Sequence, residues 1–168
     1  MEKKLRKIAL GDLEQLQTLL RDFWATQLVQ ASDEDILEDI RKMLSPKTPG
    51  YLICLDDEVC GFIYANEKYG YFNNIEYLYV KKQKRGLGLG SFALLELKKI
   101  LFAKGETRVQ IEVNPSNLAG IRFYHSLGFD NIDTITLSTE IVGKTEVKNL
   151  FGLDFKINDI SLFSRRKK

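Results

Sequence analysis

A single histidine and only two cysteines stand among the 168 residues of this chain. His125 cannot complete a zinc site by itself, and Cys54 and Cys60 lie in short apolar runs without metal-ligand companions, so no metal is expected. Both cysteines read as core residues of a protein in a reducing compartment. Long apolar runs are missing too: none approaches the roughly 20 residues that span a bilayer. The start, MEKKLRKIAL, carries neither the apolar stretch nor the cleavage site of a secretory signal. The expected location is cytoplasmic, with no membrane partner. An excess of one charge is also absent, since 25 basic against 23 acidic side chains leave a formal net charge of +2. That balance gives no global reason to invoke nucleic acid. VKKQKR and SRRKK are local basic clusters, and the second reads as a flexible, solvated tail.

What is present suits one domain over residues 1–168, since a chain this long buries roughly 70% of its unfolded surface without staples. Leu13, Leu16, Leu20, Phe23 and Trp24 follow helical spacing behind a capping start at Asp12 and Gln15. A second helix is expected from Ser32 through Ile36, Ile40 and Met43 to the break at Ser45-Pro46. YLICL and VCGFIYAN around Asp56-Asp57-Glu58 read as a β-hairpin, and NIEYLYV as a third strand of an antiparallel meander. A helix follows from Leu89 to Lys104, then a strand at RVQIEV and a short helix from Leu118 to Leu127 capped by Gly128. TITLSTEI and VKNLFGLDFKI suggest two closing strands. The pattern is mixed α/β.

Between NIEYLYV and the third helix lies KRGLGLGS, three glycines at alternate positions behind a basic cluster. A helix start leaves backbone N–H groups without partners, adds partial positive charge, and, where side chains are missing, lets a phosphate approach. Gly88 to Ala93 also fits G-x-G-x-x-A, but a dinucleotide fingerprint follows its strand directly, whereas Lys81 to Arg85 intervene here. A nucleotide P-loop would need Gly-Lys-Ser/Thr after the glycines, and that is absent. Taken alone, the stretch leaves an anion cradle and a structural turn equally open.

From about Ile75 to Phe129 the sequence resembles the GNAT N-acetyltransferase superfamily. Arg85-Gly86-Leu87-Gly88-Leu89-Gly90 matches its Gln/Arg-x-x-Gly-x-Gly/Ala core, IEYLYV precedes it, and EVNPSNLAGIRFYHSLGF, Glu112 to Phe129, matches a second family motif downstream. Lys82 stands where many relatives carry proline, and Gly120 replaces a common alanine. The resemblance implies a GNAT-like fold: a central, mostly antiparallel twisted sheet of about seven strands, helices on both faces, and a splay between the fourth and fifth strands.

The resemblance further implies acetyl-CoA as cosubstrate and an amine as acceptor. Its pyrophosphate would rest on the N–H groups of Gly86, Leu87, Gly88, Gly90 and Ser91, with Arg85 and the preceding lysines adding charge. The backbone of Leu78 and Val80 would pair with the pantetheine arm like an added strand, helped by Asn117. Val80 N–H would face the developing oxyanion. A lysine-like amine near pKa 10.4 must lose a proton to attack, which costs about 4 to 5 kcal/mol at pH 7. Glu76 is the implied base and Tyr124 the implied acid for the departing thiolate. His125 follows a position not normally catalytic and reads as a surface or helix-end residue. Small-molecule amines are preferred as acceptors, with protein or peptide N-termini and a catalytically silent CoA-binding module left open. A homodimer is one possible assembly. Trp24, Asp33, Glu34 and Asp35 fall in the region that walls the acceptor site in relatives.

Overall fold

The computed structural model describes residues 1–27, 29–48, 50–68, 71–137 and 145–158, with positions 68, 71–73 and 158 described by backbone alone. The basic tail SRRKK lies outside the described residues. The chain divides into two compact units, Met1–Trp24 with Ala31–Glu112, and Ala25–Gln30 with Val113–Lys168. No helix among the described residues is long and apolar enough to cross a membrane.

The first unit is built on a five-stranded sheet in the order β1 (Lys3–Lys7), β2 (Tyr51–Leu55), β3 (Glu58–Lys68), β4 (Tyr71–Val80), β5 (Gln110–Ile111). The first four strands are antiparallel neighbours and β5 is parallel to β4. Parallel neighbours need a crossover, and α3 (Leu89–Ala103) provides it. The β2–β3 hairpin turns at Asp56 and Asp57, both with positive φ, as the acidic turn in the sequence suggests. One strand escaped the sequence reading: β1, whose residues KKLRK carry one apolar side chain in five. It is an edge strand, where lysines also guard against edge pairing with other chains.

Alternation along the strands puts apolar residues on both faces. Leu52, Cys54, Phe62, Tyr64, Tyr77 and Tyr79 pack with Leu16, Leu19 and Leu20 of α1 (Leu13–Thr26) and Ile36, Ile40 and Met43 of α2 (Asp33–Met43). On the other face Ile53, Ile63 and Ile75 are buried, as are Ala93, Leu94, Leu97 and Leu101 of α3, which contacts β4 and β1. α2 starts at a capping box, Ser32 and Asp35 each bonding the other's backbone amide.

In the second unit, α4 (Leu118–His125) ends as Gly128 enters the left-handed region at φ +85°. Phe129 N–H closes onto Tyr124 O and Gly128 N–H onto His125 O, the two bonds of a Schellman cap. The closing strands differ from expectation. Residues 134–137 of TITLSTEI are irregular and exposed, and the rest of that run lies outside the described residues. VKNLFGLDFKI is not one strand but most of a hairpin, β6 (Thr145–Leu150) and β7 (Leu153–Asn158), bent at Phe151 and Gly152 with φ of +56° and +77°. Period-two alternation marks strand residues but does not show where a chain doubles back. The seven strands therefore form a five-stranded and a two-stranded sheet rather than one.

The entry to α1 rests on Asp12, which accepts from the Ala9 amide at 2.9 Å and from both Arg6 Nη atoms at 2.7 and 2.9 Å. The Arg6 hydrogen bonds hold its carboxyl below the ordinary 3.8, against the opposing effect of burial. A depressed carboxylate stabilises the fold above the unfolded-state value, and the contribution is lost as pH falls through the folded value. Asp12→Asn should therefore cost roughly 0.5 to 1 kcal/mol at neutral pH, given a half-exposed arginine. Urea unfolding of wild type and variant should converge as the pH drops below the ordinary carboxylate range.

Candidate active site

Strand β4 carries the first part of the site, and its two edges differ. Toward β3 it is paired from Tyr71 to Val80; toward β5 it is paired only at Asn74 and Ile75. Lys81 N–H donates to Cys60 O at 2.8 Å across the β3 side. Backbone groups of successive residues in an antiparallel pair alternate in direction, so Val80 and Leu78 turn theirs toward the other edge. Val80 O is taken by Arg85 Nε at 3.0 Å. Val80 N–H and both backbone groups of Leu78 open onto the stretch that β5 leaves bare. This is the geometry of an edge ready to receive an added strand.

The divergence begins at a bulge. Tyr64 pairs with Tyr77 and Ala65 with Ile75, so Glu76 is the extra residue of β4. Its side chain is re-aimed toward the α2 face, where Oε2 accepts from Asn66 Nδ2 at 2.5 Å. Asn66 Oδ1 in turn accepts from Asn74 Nδ2 at 3.2 Å, leaving Asn74 Oδ1 buried and without a partner among the described residues. A carboxylate only accepts, so each amide in this chain must present its nitrogen toward the preceding oxygen. Nothing in the sequence marks Asn66, Asn74 or Lys42; asparagines inside a strand carry no signal until the register places them opposite each other. Burial works to lower the pKa of Lys42, but its Glu38 hydrogen bond and the charges of Asp39, Glu38 and Glu76 outweigh it and the net shift is upward.

Behind Glu76 lies a buried carboxylate. Asp39 is fully enclosed and accepts from Tyr77 Oη at 2.9 Å and Trp24 Nε1 at 3.1 Å, with Lys42 Nζ at 3.8 Å. Trp24 is thus a half-buried core residue anchored to α2. Asp33 pairs with Arg21, and Asp35 caps Ser32. Of the four residues named for the acceptor wall, Glu34 is exposed on α2 and the other three have these protein partners.

After β4 the chain makes one 3-10 turn, Lys82–Lys84, and enters the glycine run. Gly86 and Gly88 have φ of +79° and +70°, a region that strains any other residue. Gly88 is the N-cap of α3, and Phe92 N–H is the first helical amide to close, onto Gly88 O at 3.0 Å. None of the six amides from Gly86 to Ser91 finds an acceptor among the described residues. The basic residues of this stretch are partly engaged: Lys81 Nζ donates to Val59 O at 2.7 Å, Lys84 pairs with Glu58, and Arg85 Nε holds Val80.

A family model described as the acetyltransferase (GNAT) family matches residues 13–129. The chain belongs to the GNAT acetyltransferase family. An acetyltransferase of Pectobacterium atrosepticum is 27% identical over 109 residues, 64% of this chain and 77% of that protein. The GNAT fold is shared with the aminoglycoside N-acetyltransferase AAC(6')-Iy, solved with a CoA-S-monomethyl-acetylneamine bisubstrate analogue. The TM-score is 0.71 at 17% identity, over 84% of this chain and 99% of that one. The PaiA N-acetyltransferase of Thermoplasma acidophilum, solved with coenzyme A, covers 94% of the chain, and 98% of its own length is covered, with TM-score 0.56 and 22% identity.

The two remaining motif residues of this GNAT chain lie in the second unit. Asn117 is the N-cap of α4, its Oδ1 accepting from Gly120 N at 2.9 Å. A Cβ on Gly120 would stand 2.5 Å from Asn117 Nδ2, so glycine in place of the common alanine makes room for the folded-over amide. Tyr124 packs edge-on against Phe123 and Phe129, with ring centroids 5.1 and 5.9 Å away. Burial pushes its hydroxyl up to about 12.

The site end of β4 depends on close backbone approach. A Cβ on Gly61 would stand 2.0 Å from Tyr79 O. Gly61→Ala is expected to lower unfolding free energy by about 1 to 3 kcal/mol. Gly11→Ala, where nothing lies within 4 Å, should stay within about 0.5 kcal/mol of wild type by the same urea titration.

Proposed function

We propose that the protein transfers an acetyl group from acetyl-CoA to the primary amine of a small molecule. The observation that carries this reading is the row of six unpartnered amides, Gly86 to Ser91, beside the bare edge of β4. The donor set suits a diphosphate followed by an amide-bearing arm: N–H groups at a helix start for the anion, then alternating N–H and C=O groups of Val80 and Leu78. Bound there, acetyl-CoA would supply an activated thioester. The names of similar structures support a small cationic acceptor, since several are aminoglycoside acetyltransferases, one of them solved with sisomicin.

The chain's own residues then have distinct tasks. Glu76, aimed by the bulge and held by Asn66, takes the proton of the attacking amine, directly or through a water. Val80 N–H donates to the oxygen on which negative charge develops. Asn117 donates through Nδ2, its oxygen being occupied by the helix cap. Tyr124, held at about 12, keeps its proton throughout the physiological range. Full transfer from such a phenol to a thiolate of ordinary thiol pKa near 8.5 is uphill by about 5 kcal/mol. Tyr124 therefore acts as a hydrogen-bond donor to the departing sulfur.

Release of free thiol from acetyl-CoA, followed over a panel of polyamines, aminoglycosides, amino acids and peptides, tests the reading. Acetylation of at least one small amine is expected, and tight acetyl-CoA binding with no turnover on any amine would reject it. Glu76→Gln should lower kcat by roughly 100-fold or more with little change in KM for acetyl-CoA. Tyr124→Phe should lower kcat, and the wild-type rate should show no alkaline loss attributable to Tyr124 below about pH 10. An alkaline limb near pH 9 that Tyr124→Phe abolishes would contradict the assignment.

A further inference from the structure

The basic cluster before the glycines looks like the source of positive charge for the phosphate, but the structure distributes that charge differently. Lys81, Lys84 and Arg85 each bond a protein group, Val59 O, Glu58 and Val80 O respectively. Lys82 of the cluster is exposed, and a further cation reaches the glycines from the N-terminal strand. Lys3 opens β1, opposite Leu55 in the ladder, at the end of the sheet where β4 finishes. It shares a strand face with Leu5, whose partner Ile53 lies on the face covered by α3. At the strand start this face meets the first turn of α3. Lys3 Nζ stands 3.2 Å from the point a Cβ on Gly88 would occupy. Among the described residues Lys3 has no hydrogen bond and no ion-pair partner.

An ammonium beside a left-handed glycine and six unpartnered amides has one obvious complement, an anion of more than one charge. We propose that Lys3 is a phosphate-binding residue of the coenzyme site, its Nζ contacting the diphosphate that the amides of Gly86 to Ser91 receive. This rests on reading that loop as the CoA site. The amides supply directed partial charges, and Lys3 supplies a full charge on a flexible stem that follows the phosphate oxygens. It makes the N-terminal strand part of the binding site, 85 residues away from Gly88 in sequence.

Calorimetric titration with CoA and with dephospho-CoA, which lacks the 3'-phosphate, tests the assignment on the full chain. Lys3→Gln is expected to weaken both ligands about tenfold, the scale of one charge-assisted contact. Lys3→Arg should retain affinity within about threefold of wild type. Lys99→Gln, which removes an exposed α3 lysine paired with Glu96, serves as a charge control and should bind as wild type does. The gap between wild type and Lys3→Gln should narrow as salt is raised, which a loss caused by altered packing would not do. Affinity of Lys3→Gln within about twofold of wild type overturns the proposal, as does an effect confined to CoA and absent with dephospho-CoA, or one insensitive to salt. If the wild type binds neither ligand, the reading of the loop itself fails and the proposal falls with it. If the wild type binds both and Lys3→Gln binds equally, only the role of Lys3 fails.

Discussion

Strand β4 is paired along its whole length on one side only. Its β3 edge is paired from Tyr71 to Val80, while β5 meets it at Asn74 and Ile75 and at no later residue. Every polar backbone group beyond that point must find another partner. Arg85 takes Val80 O, and the others face outward. The bulge at Glu76 sits where the two edges part, so one inserted residue both marks the end of β5 pairing and turns a carboxylate toward α2. The glycine run continues the same pattern, because a helix that begins on Gly88 exposes its first amides at the mouth of the open edge. Unmet hydrogen-bonding capacity, concentrated along one strand and one helix start, is the common cause of the site.

The surrounding core explains why this unmet capacity persists. Tyr64, Tyr77 and Tyr79 face α1 and α2 and pack with Phe23, Phe62 and Trp24, while α3 covers the opposite face. Asp39 would be costly in such a setting if it lacked donors. Tyr77 and Trp24 supply two, tying β4 and α1 to α2. The polar chain from Asn74 through Asn66 to Glu76 runs along the sheet beside this anchor. Packing on both faces holds β4 against the helices, while its edge beyond Ile75 has no strand beside it.

Much of this was legible in the sequence. The helices, the β2–β3 hairpin with its acidic turn, the meander and the left-handed cap at Gly128 all follow from local rules of periodicity, turn chemistry and capping. The motif around Arg85 to Gly90 and that around Asn117 and Tyr124 identified the family. Local rules failed where pairing partners are distant. Strand β1 has too few apolar residues to announce itself and exists because β2 offers it an edge. The closing hairpin is hard to divide from sequence because only its second arm, Leu153 to Ile157, alternates, and Phe151-Gly152 lacks the usual hairpin-turn residues. The acids from Asp33 to Asp35 fit both a helix start and an amine site in sequence; in the fold Asp35 completes the α2 cap and Asp33 pairs with Arg21 of α1.

The sequence by itself determined the family, the order of most elements and the positions of the glycines, because these depend on residues close together in the chain. The tertiary structure alone decided which charges and amides are left over. Register placed Asn66 and Asn74 beside the carboxylate of Glu76, and committed Lys81, Lys84 and Arg85 to protein partners. It also brought Lys3 to Gly88 from the opposite end of the unit. Whether a polar group is free or engaged depends on which strand lies next to it, and strand adjacency is a property of the folded sheet.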